Sequence, residues 1–174
     1  MARAKSHNSV RIIGGKLRSR RIEFPDAPGL RPTGDRIRET LFNWLQADIL
    51  GARCLDPFAG SGVLGLEAVS RGASSVILLD RNPRVIAALQ DSIALLQLDN
   101  AIAIQADAQQ WLQQPRSRDQ AFDIVFLDPP FSEELLLTTC GLLAQGAWLQ
   151  SGARIYLESP AAIDSARLPT GWRI

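Results

Sequence analysis

The sequence predicts an α/β fold, in which a doubly wound, mostly parallel sheet is covered by helices on both faces. Two observations predict it. Short apolar runs alternate with longer amphipathic segments from residue 53 onward. The short runs are almost continuously apolar, which is typical of strands that are buried on both faces of a parallel sheet.

A third observation concerns the ends of these runs. Four of the predicted strands close on an aspartate, namely Asp56, Asp80, Asp107 and Asp128. Ligands of doubly wound sheets bind beyond the carboxyl ends of the strands, so the four carboxylates are predicted to converge on a functional site. The alternative, that aspartate merely caps strand-to-helix junctions, readily accounts for one or two of them but less well for all four.

The predicted elements begin with a helix that starts near Gly34 and has Thr33 as its cap. Its apolar face is expected to comprise Ile37, Leu41, Phe42, Trp44, Leu45 and Ile49. The chain then alternates between strand 53–56, helix 63–71, strand 75–80, helix 83–96, strand 101–107, a short helix, strand 122–128, helix 133–144 and strand 154–158. Gly72 ends the second helix and Pro83 opens the third, as these residues commonly do.

Length and composition indicate one folded domain. The chain has 174 residues, enough for a hydrophobic core. No apolar stretch reaches the ~20 residues of a membrane helix, and the N-terminus lacks the apolar segment of a secretory signal, so a cytoplasmic protein is expected. Cys54 and Cys140 lack metal-ligand spacing and are expected to be buried free thiols, and no metal site is predicted. The core is expected to include Trp44, Trp111 and Trp148.

The charge is distributed unevenly along the chain. Residues 1–38 contain ten Lys/Arg and three Asp/Glu, whereas residues 39–174 contain nine and fifteen. Residues 1–9 are expected to be disordered, and alternation around Gly14-Gly15 predicts a β-hairpin to about Phe24 with a basic face. Such an arm can lie along nucleic-acid phosphates; the alternative is a solvated tail without a partner.

A glycine-rich loop follows the first predicted strand of the main sheet. Its sequence, Asp56-Pro57-Phe58-Ala59-Gly60-Ser61-Gly62, continues into a G-x-G-x-x-G pattern, with Asp80 eighteen residues after Gly62. That pattern alone is a weak dinucleotide fingerprint. Asp56 at the mouth of the loop would repel a pyrophosphate but favour the sulfonium and ammonium groups of S-adenosylmethionine. In this interpretation Asp80 accepts the ribose hydroxyls and Asp107 accepts the adenine amino group, while Phe58 borders the pocket or packs under the loop.

The motif Asp128-Pro129-Pro130-Phe131 follows the fourth predicted strand. A carboxylate, a rigid backbone and an aromatic ring suit the binding of a planar base that carries an exocyclic amine. Asp128 and the Pro129 carbonyl can each accept one N–H, which favours a pyramidal nitrogen, and Phe131 can stack on the base. The alternative is a rigid turn before the next helix.

These motifs, in order and spacing, resemble those of class I S-adenosylmethionine-dependent methyltransferases. The stretches Arg11-Ile12-Ile13-Gly14-Gly15 and 31–45 look more specifically like the bacterial 16S ribosomal RNA guanine-N2 methyltransferases of the small subunit. The resemblance implies a cofactor site formed by Asp56, Phe58, Gly60, Ser61, Gly62, Asp80, Arg81, Asp107, Ala108 and Asp128. It implies an RNA-binding set formed by Arg11, Lys16, Arg18, Arg20, Arg21 and Arg36.

The resemblance also implies a basic arm at 1–32 and a methyltransferase domain at 33–174, with a Rossmann-like sheet of seven strands, the last antiparallel. After the fifth strand only residues 161–174 remain, with room for the start of one further strand at Trp172. An open sheet edge is an aggregation liability, so a truncated C-terminus is expected.

The sequence is compatible with four hypotheses about the function. The first is methylation of guanine N2 in 16S ribosomal RNA, within a 30S subunit or an assembly intermediate, by a monomer. The second keeps the enzyme class but places the methyl group on adenine or cytosine of DNA or another RNA. The third is an NAD-dependent oxidoreductase, and the fourth is a non-catalytic RNA-binding module.

Overall fold

The structure, a computed structural model, describes residues 8–130 and 133–174. Seven strands and five α-helices are assigned in this part of the chain. They are, in chain order, β1 (Asn8–Arg11), β2 (Arg21–Phe24), α1 (Asp35–Trp44), β3 (Arg53–Asp56), α2 (Val63–Ser70), β4 (Ser75–Asp80), α3 (Pro83–Leu95), β5 (Ala101–Gln105), α4 (Ala108–Leu112), β6 (Phe122–Leu127), α5 (Glu133–Gln145) and β7 (Leu149–Leu157). Two 3-10 turns, Arg118–Gln120 and Ser165–Arg167, complete the assignment.

The main sheet confirms the predicted fold class. Its five strands have the order β5-β4-β3-β6-β7, and every neighbouring pair is parallel. The chain builds β4 and β5 on one side of β3 and then crosses to place β6 and β7 on the other. The strand order therefore reverses between β3 and β6, and ligands of doubly wound sheets bind at such a reversal.

Two hydrophobic clusters sandwich the sheet. One joins α1, α2 and α3 to one face and includes Phe42, Leu66 and Leu89, whereas the other joins α4 and α5 to the opposite face. All eight residues of α2 are buried, including Glu67 and Ser70. Apolar residues on almost every position of β4 and β6 are explained by this two-sided burial.

The N-terminal hairpin is confirmed, but its turn differs from the prediction. β1 and β2 pair antiparallel from Asn8↔Phe24 to Arg11↔Arg21, so ordered structure already includes residues 8 and 9, against the expectation of disorder. Residues 12–20 form a long connection rather than a tight turn at Gly14-Gly15. A Cβ on Gly15, whose φ is 73°, would lie 1.9 Å from the carbonyl oxygen of Ser70. This glycine therefore serves a close approach to the end of α2, not a hairpin turn.

Helix α1 differs from the prediction in three respects. Its N-cap is Gly34, which has no side chain to form a cap bond, and the Thr33 hydroxyl donates to Asp128 instead of capping the helix. It ends at Trp44 instead of continuing to Ile49. Trp44 is 74% exposed and Ile37 is 49% exposed, so their assignment to the core was wrong.

Other core predictions are confirmed. Trp148 is 2% exposed, and its indole N–H donates to the carbonyl oxygen of Leu112 at 2.9 Å. Trp111 is only partly buried and packs against Trp148, with ring centroids 4.7 Å apart. Cys54 and Cys140 are buried free thiols.

The C-terminal region differs from expectation at both ends. β7 begins at Leu149, five residues before the predicted start, and a register irregularity interrupts its pairing with β6. Trp172 belongs to no assigned strand; it packs against the α4 and α5 face instead. Among the helices described, none is long and apolar enough to cross a membrane.

Candidate active site

Asp56 and Asp128 flank the point where the strand order reverses. Asp56 is the last residue of β3 and is 1% exposed, with Oδ2 accepting the Gly65 N–H at 3.2 Å. Asp128 directly follows β6 and is half-buried. The carboxylates predicted to converge do so here, because neighbouring parallel strands end side by side.

The glycine loop between β3 and α2 is held by Asp80. One carboxylate oxygen of Asp80 accepts the Gly60 N–H at 3.1 Å, and the other accepts the Asn82 N–H at 2.8 Å. Gly60 and Gly62 have φ values of 50° and 73°, in the left-handed region that favours glycine. Each oxygen of Asp80 retains a second lone pair, so the side chain can hold the loop and still accept a ligand hydroxyl.

Gly62 provides a test of this loop. A Cβ there would lie 2.2 Å from Leu89 Cδ2, at a left-handed φ. We expect Gly62→Ala to destabilise the fold by about 1–3 kcal/mol and to weaken cofactor binding, since the loop must shift. Gly141→Ala in α5, where nothing lies within 4 Å, is the matched control and should stabilise by about 0.5–1 kcal/mol. Urea unfolding measures both, and equal effects of the two variants would contradict this role of Gly62.

The remaining predicted cofactor residues fall into two groups. Ser61 and Ala108 are buried: the Ser61 hydroxyl accepts the Val63 N–H at 3.4 Å, and Ala108 opens α4. Phe58 is half-buried and packs against the α4 and α5 face. Arg81 and Asp107 are exposed, so both remain accessible to a ligand.

The sequence offers two interpretations of Asp107, as a helix cap and as a ligand-binding residue, and the structure is compatible with both. Its side chain caps α4 by accepting the Gln110 N–H at 3.0 Å, so the structural role of a capping aspartate is real. Only one of its oxygens is used in this bond, and the residue lies on the same edge of the sheet as Asp80, one strand farther from the centre. An adenine amino group can still donate to it.

Three residues surround the Asp128 carboxylate. Thr33 donates its hydroxyl to Oδ2 at 3.3 Å. Glu158, the residue after β7, lies beside the same carboxyl group and accepts a hydrogen bond from the Tyr156 hydroxyl at 2.9 Å. Glu158 is thus a fifth acidic residue, after Asp56, Asp80, Asp107 and Asp128, at the edge of the sheet that we call the acidic edge. The sequence placed Glu158 at the end of a predicted strand but did not assign it to the site.

The crowding of carboxylates changes their ionisation. Burial, reinforced by Asp128 and Asp80, raises the pKa of Asp56 to about 8, although the Gly65 N–H opposes the shift. Burial and the neighbouring Glu158 raise the pKa of Asp128 to about 6. At neutral pH these shifts favour the ionised form of Asp128, which can accept hydrogen bonds, and the protonated form of Asp56; a cation beside Asp56 would favour its ionised form.

The raised pKa of Asp56 predicts how stability depends on pH. Its folded-state pKa exceeds the unfolded value of about 4, so the folded protein binds more protons between those values. The stabilisation is complete below about pH 4 and is lost as the pH rises to about 8. Without ligand, the free energy of unfolding should therefore fall from about pH 4 to about pH 8. Asp56→Asn should flatten this fall in urea titrations; an unchanged slope would contradict the assignment.

The predicted RNA-binding side chains are all exposed. This holds for Arg11, Lys16, Arg18, Arg20, Arg21 and Arg36. Arg11 pairs with Asp35 at 3.2 Å, and Arg21 donates to the Ser9 hydroxyl at 2.8 Å, so two of them are partly engaged on the surface. Arg36 borders a shallow groove of about 320 Å³ with Trp44 and Tyr156.

The rest of the predicted catalytic motif is only partly described. Pro129 is buried and Pro130 is exposed. Phe131 lies outside the described residues, so its stacking role stays a prediction. No cluster of side chains suited to a metal ion occurs in residues 8–130 and 133–174.

Sequence reasoning missed a buried ion pair near the site. Arg38 and Glu67 are both fully buried and lie 3.1 Å apart. Glu67 was visible as a single acid within the apolar helix Val63–Ser70, a pattern that indicates a buried charge with a partner. Arg38 gave no such signal, because the neighbouring helix carries several charges.

The parallel sheet with its reversal point, glycine loop and acidic edge is the architecture of an α/β methyltransferase domain. The chain belongs to the family described as conserved hypothetical protein 95, whose profile matches residues 10–174. It is 45% identical over 165 residues to the ribosomal RNA small subunit methyltransferase D of Escherichia coli K12, covering 95% of this chain and 82% of that protein. The protein of the same name from Buchnera aphidicola of Acyrthosiphon pisum is 38% identical, with coverage of 98% and 87%.

Solved structures agree with these relatives. The candidate methyltransferase yhhF from Escherichia coli superposes with a TM-score of 0.84 at 43% identity, covering 95% of this chain and 89% of that one. The candidate methylase HI0767 from Haemophilus influenzae gives 0.76 at 38% identity, with coverage of 91% and 88%. The predicted family, fold class and cofactor, S-adenosyl-L-methionine, are confirmed. Individual site residues keep their roles as predictions.

Proposed function

We propose that this protein transfers a methyl group from S-adenosyl-L-methionine to the exocyclic N2 of a guanine in 16S ribosomal RNA. The observation that carries the proposal is the position of the half-buried Asp128 at the reversal point of the sheet, next to the buried Asp56. An enzyme that methylates an amine needs an acceptor for N–H groups beside its cofactor site. The names of the relatives support ribosomal RNA of the small subunit as the substrate.

The acidic edge fits this cofactor. Burial, together with the nearby Asp128 and Asp80, raises the pKa of Asp56, and a cationic ligand would relieve the repulsion among these carboxylates. A pyrophosphate would add to that repulsion, which disfavours the NAD-dependent alternative. Asp56 and the Gly60–Gly62 loop would hold the amino-acid part, and Asp80 and Asp107 would hold the ribose and adenine.

The bound cofactor supplies an already activated methyl group, so the protein must orient the attacking amine. Asp128 accepts one N–H of the guanine amine, and the Pro129 carbonyl accepts the other. Both bonds strengthen as positive charge develops on the nitrogen, so they stabilise the transition state more than the ground state. Phe131 would stack on the base after it leaves its helix.

The basic arm supplies the contact to a large folded RNA. Exposed cations on both strands and on their connection, together with Arg36 beside the groove at Trp44 and Tyr156, match a phosphate backbone. We propose that a cytoplasmic monomer acts on a 30S subunit or an assembly intermediate, because one molecule carries both the basic arm and the site around Asp56 and Asp128.

The test is methyl transfer to RNA from cells that lack the protein. Free 16S RNA and 30S subunits are incubated in parallel with labelled S-adenosylmethionine, and the digested RNA is analysed by mass spectrometry. The expected product is N2-methylguanosine at one position. Label on adenine or cytosine would replace the guanine assignment. Absence of label on any RNA, together with tight binding of NADH, would overturn the proposal.

A further inference from the structure

We propose that Thr33 is a positioning residue for Asp128. We further propose that the buried pair Arg38–Glu67 fixes both Thr33 and the basic arm relative to Asp128. The basic arm would then help to orient Asp128, in addition to binding RNA. This inference rests on the proposed function, because it assigns Thr33 a role through Asp128.

Thr33 is held at two points. Its side chain donates to Asp128 Oδ2 at 3.3 Å, and its carbonyl oxygen accepts from Arg38 Nε at 3.0 Å. The residue is 6% exposed although it precedes a surface helix. The Arg38 bond fixes the backbone of Thr33, and burial of the residue restricts its side chain, so the hydroxyl favours one orientation of the Asp128 carboxylate.

The same arginine holds the arm. Arg38 Nη1 donates to the carbonyl oxygen of Arg11 at 3.0 Å and to Glu67 Oε2 at 3.1 Å. Glu67 in turn accepts the backbone N–H groups of Ile13 at 2.9 Å and Gly14 at 2.8 Å. A continuous chain of hydrogen bonds therefore runs from the arm, through a fully buried ion pair and Thr33, to Asp128.

The Thr33 bond also opposes the acidic neighbours of Asp128. Glu158 faces Asp128 from the end of β7, Asp56 faces it from the end of β3, and the Tyr156 hydroxyl is bound to Glu158. A hydroxyl donor favours the ionised carboxylate, and the Thr33 bond lowers the pKa of Asp128 against the other influences. Without this bond the pKa of Asp128 would rise further, and the carboxylate would accept the amine less well.

The experiment compares Thr33→Val, which keeps the shape and removes the hydroxyl, with Thr33→Ser, which keeps the hydroxyl. Single-turnover and steady-state methyl transfer are measured across pH with the full chain and its RNA substrate. We expect Thr33→Val to lower kcat about tenfold at neutral pH with little change in KM, and to move the acidic limb of the profile to higher pH. Thr33→Ser should restore both. Thr138→Val, on the exposed side of α5, is the matched control.

A double-mutant cycle identifies the partner through which Thr33 acts. In an Asp128→Ala background, Thr33→Val should have no further effect on the residual single-turnover rate. An equal effect in both backgrounds, or a Thr33→Val enzyme with the wild-type pH profile, would overturn the inference. If Asp128→Ala is inactive while Thr33→Val is unaffected, only the positioning role fails. Full activity of Asp128→Ala would overturn the role proposed for Asp128 as well.

Discussion

Replacing Asp128 with alanine is expected to lower kcat for methyl transfer by about 10²–10³-fold, comparable to the loss of one charge-stabilising group in other active sites. The side chain accepts an N–H of the guanine amine, and this bond strengthens as the nitrogen becomes positive. The measurement is single-turnover transfer of labelled methyl groups at saturating cofactor and RNA.

The same variant should keep its fold and its cofactor. The raised pKa of Asp128 means that the fold disfavours its ionised form, so removing the carboxylate costs little stability. Calorimetry with S-adenosylhomocysteine should give an affinity close to that of the wild type. Asp91→Ala, on an exposed position of α3, is the control and should leave the rate unchanged. Wild-type turnover of Asp128→Ala would contradict the proposed mechanism.

Replacing Glu67 with alanine is expected to lower the free energy of unfolding by about 3–5 kcal/mol, the usual cost of breaking a buried ion pair on one side. The change removes the only buried carboxylate that Arg38 contacts in the described residues, so that Arg38 keeps only the partly exposed Asp35 as an ionic partner. It also removes the acceptor of two arm amides. Arg71, which also pairs with Glu67 at 2.9 Å, loses the same partner. Urea unfolding monitored by tryptophan fluorescence measures the loss.

A matched control separates burial from charge. Glu39→Ala removes an exposed carboxylate from α1 and should change the free energy of unfolding by no more than about 0.5 kcal/mol. The Glu67 variant should also expose the arm to proteolysis between β1 and β2, since its docking to α2 depends on these bonds. A stable variant with a protected arm would show that Glu67 does not anchor it.

The main sheet was predictable because its strands are buried on both faces. Apolar residues on nearly every position of β4 and β6 leave few alternatives to a parallel sheet. Asp56 ends β3, Asp80 ends β4 and Asp128 follows β6. Because parallel strands end side by side, the sequence predicted these three aspartates at one edge of the sheet. For these strands, the local sequence pattern and the tertiary fold therefore indicate the same structure.

The residues around Asp128 were not predictable in the same way. Thr33 precedes α1 and was interpreted as its cap, yet its hydroxyl bonds a residue 95 positions away. Glu158 depends on the pairing of β7 with β6, which brings its side chain next to Asp128. Trp44 fits the helical periodicity of a core face, but α1 ends there and the ring is exposed. Such contacts arise from packing between distant segments, which local periodicity does not report.

The most direct measurement is a crystal structure of the protein with S-adenosylmethionine bound. We predict that the ligand lies along the glycine loop, with its ammonium group near Asp56, its ribose on Asp80 and its methyl carbon facing the Asp128 carboxylate. A ligand bound elsewhere, or an Asp128 side chain turned away from that carbon, would contradict the account.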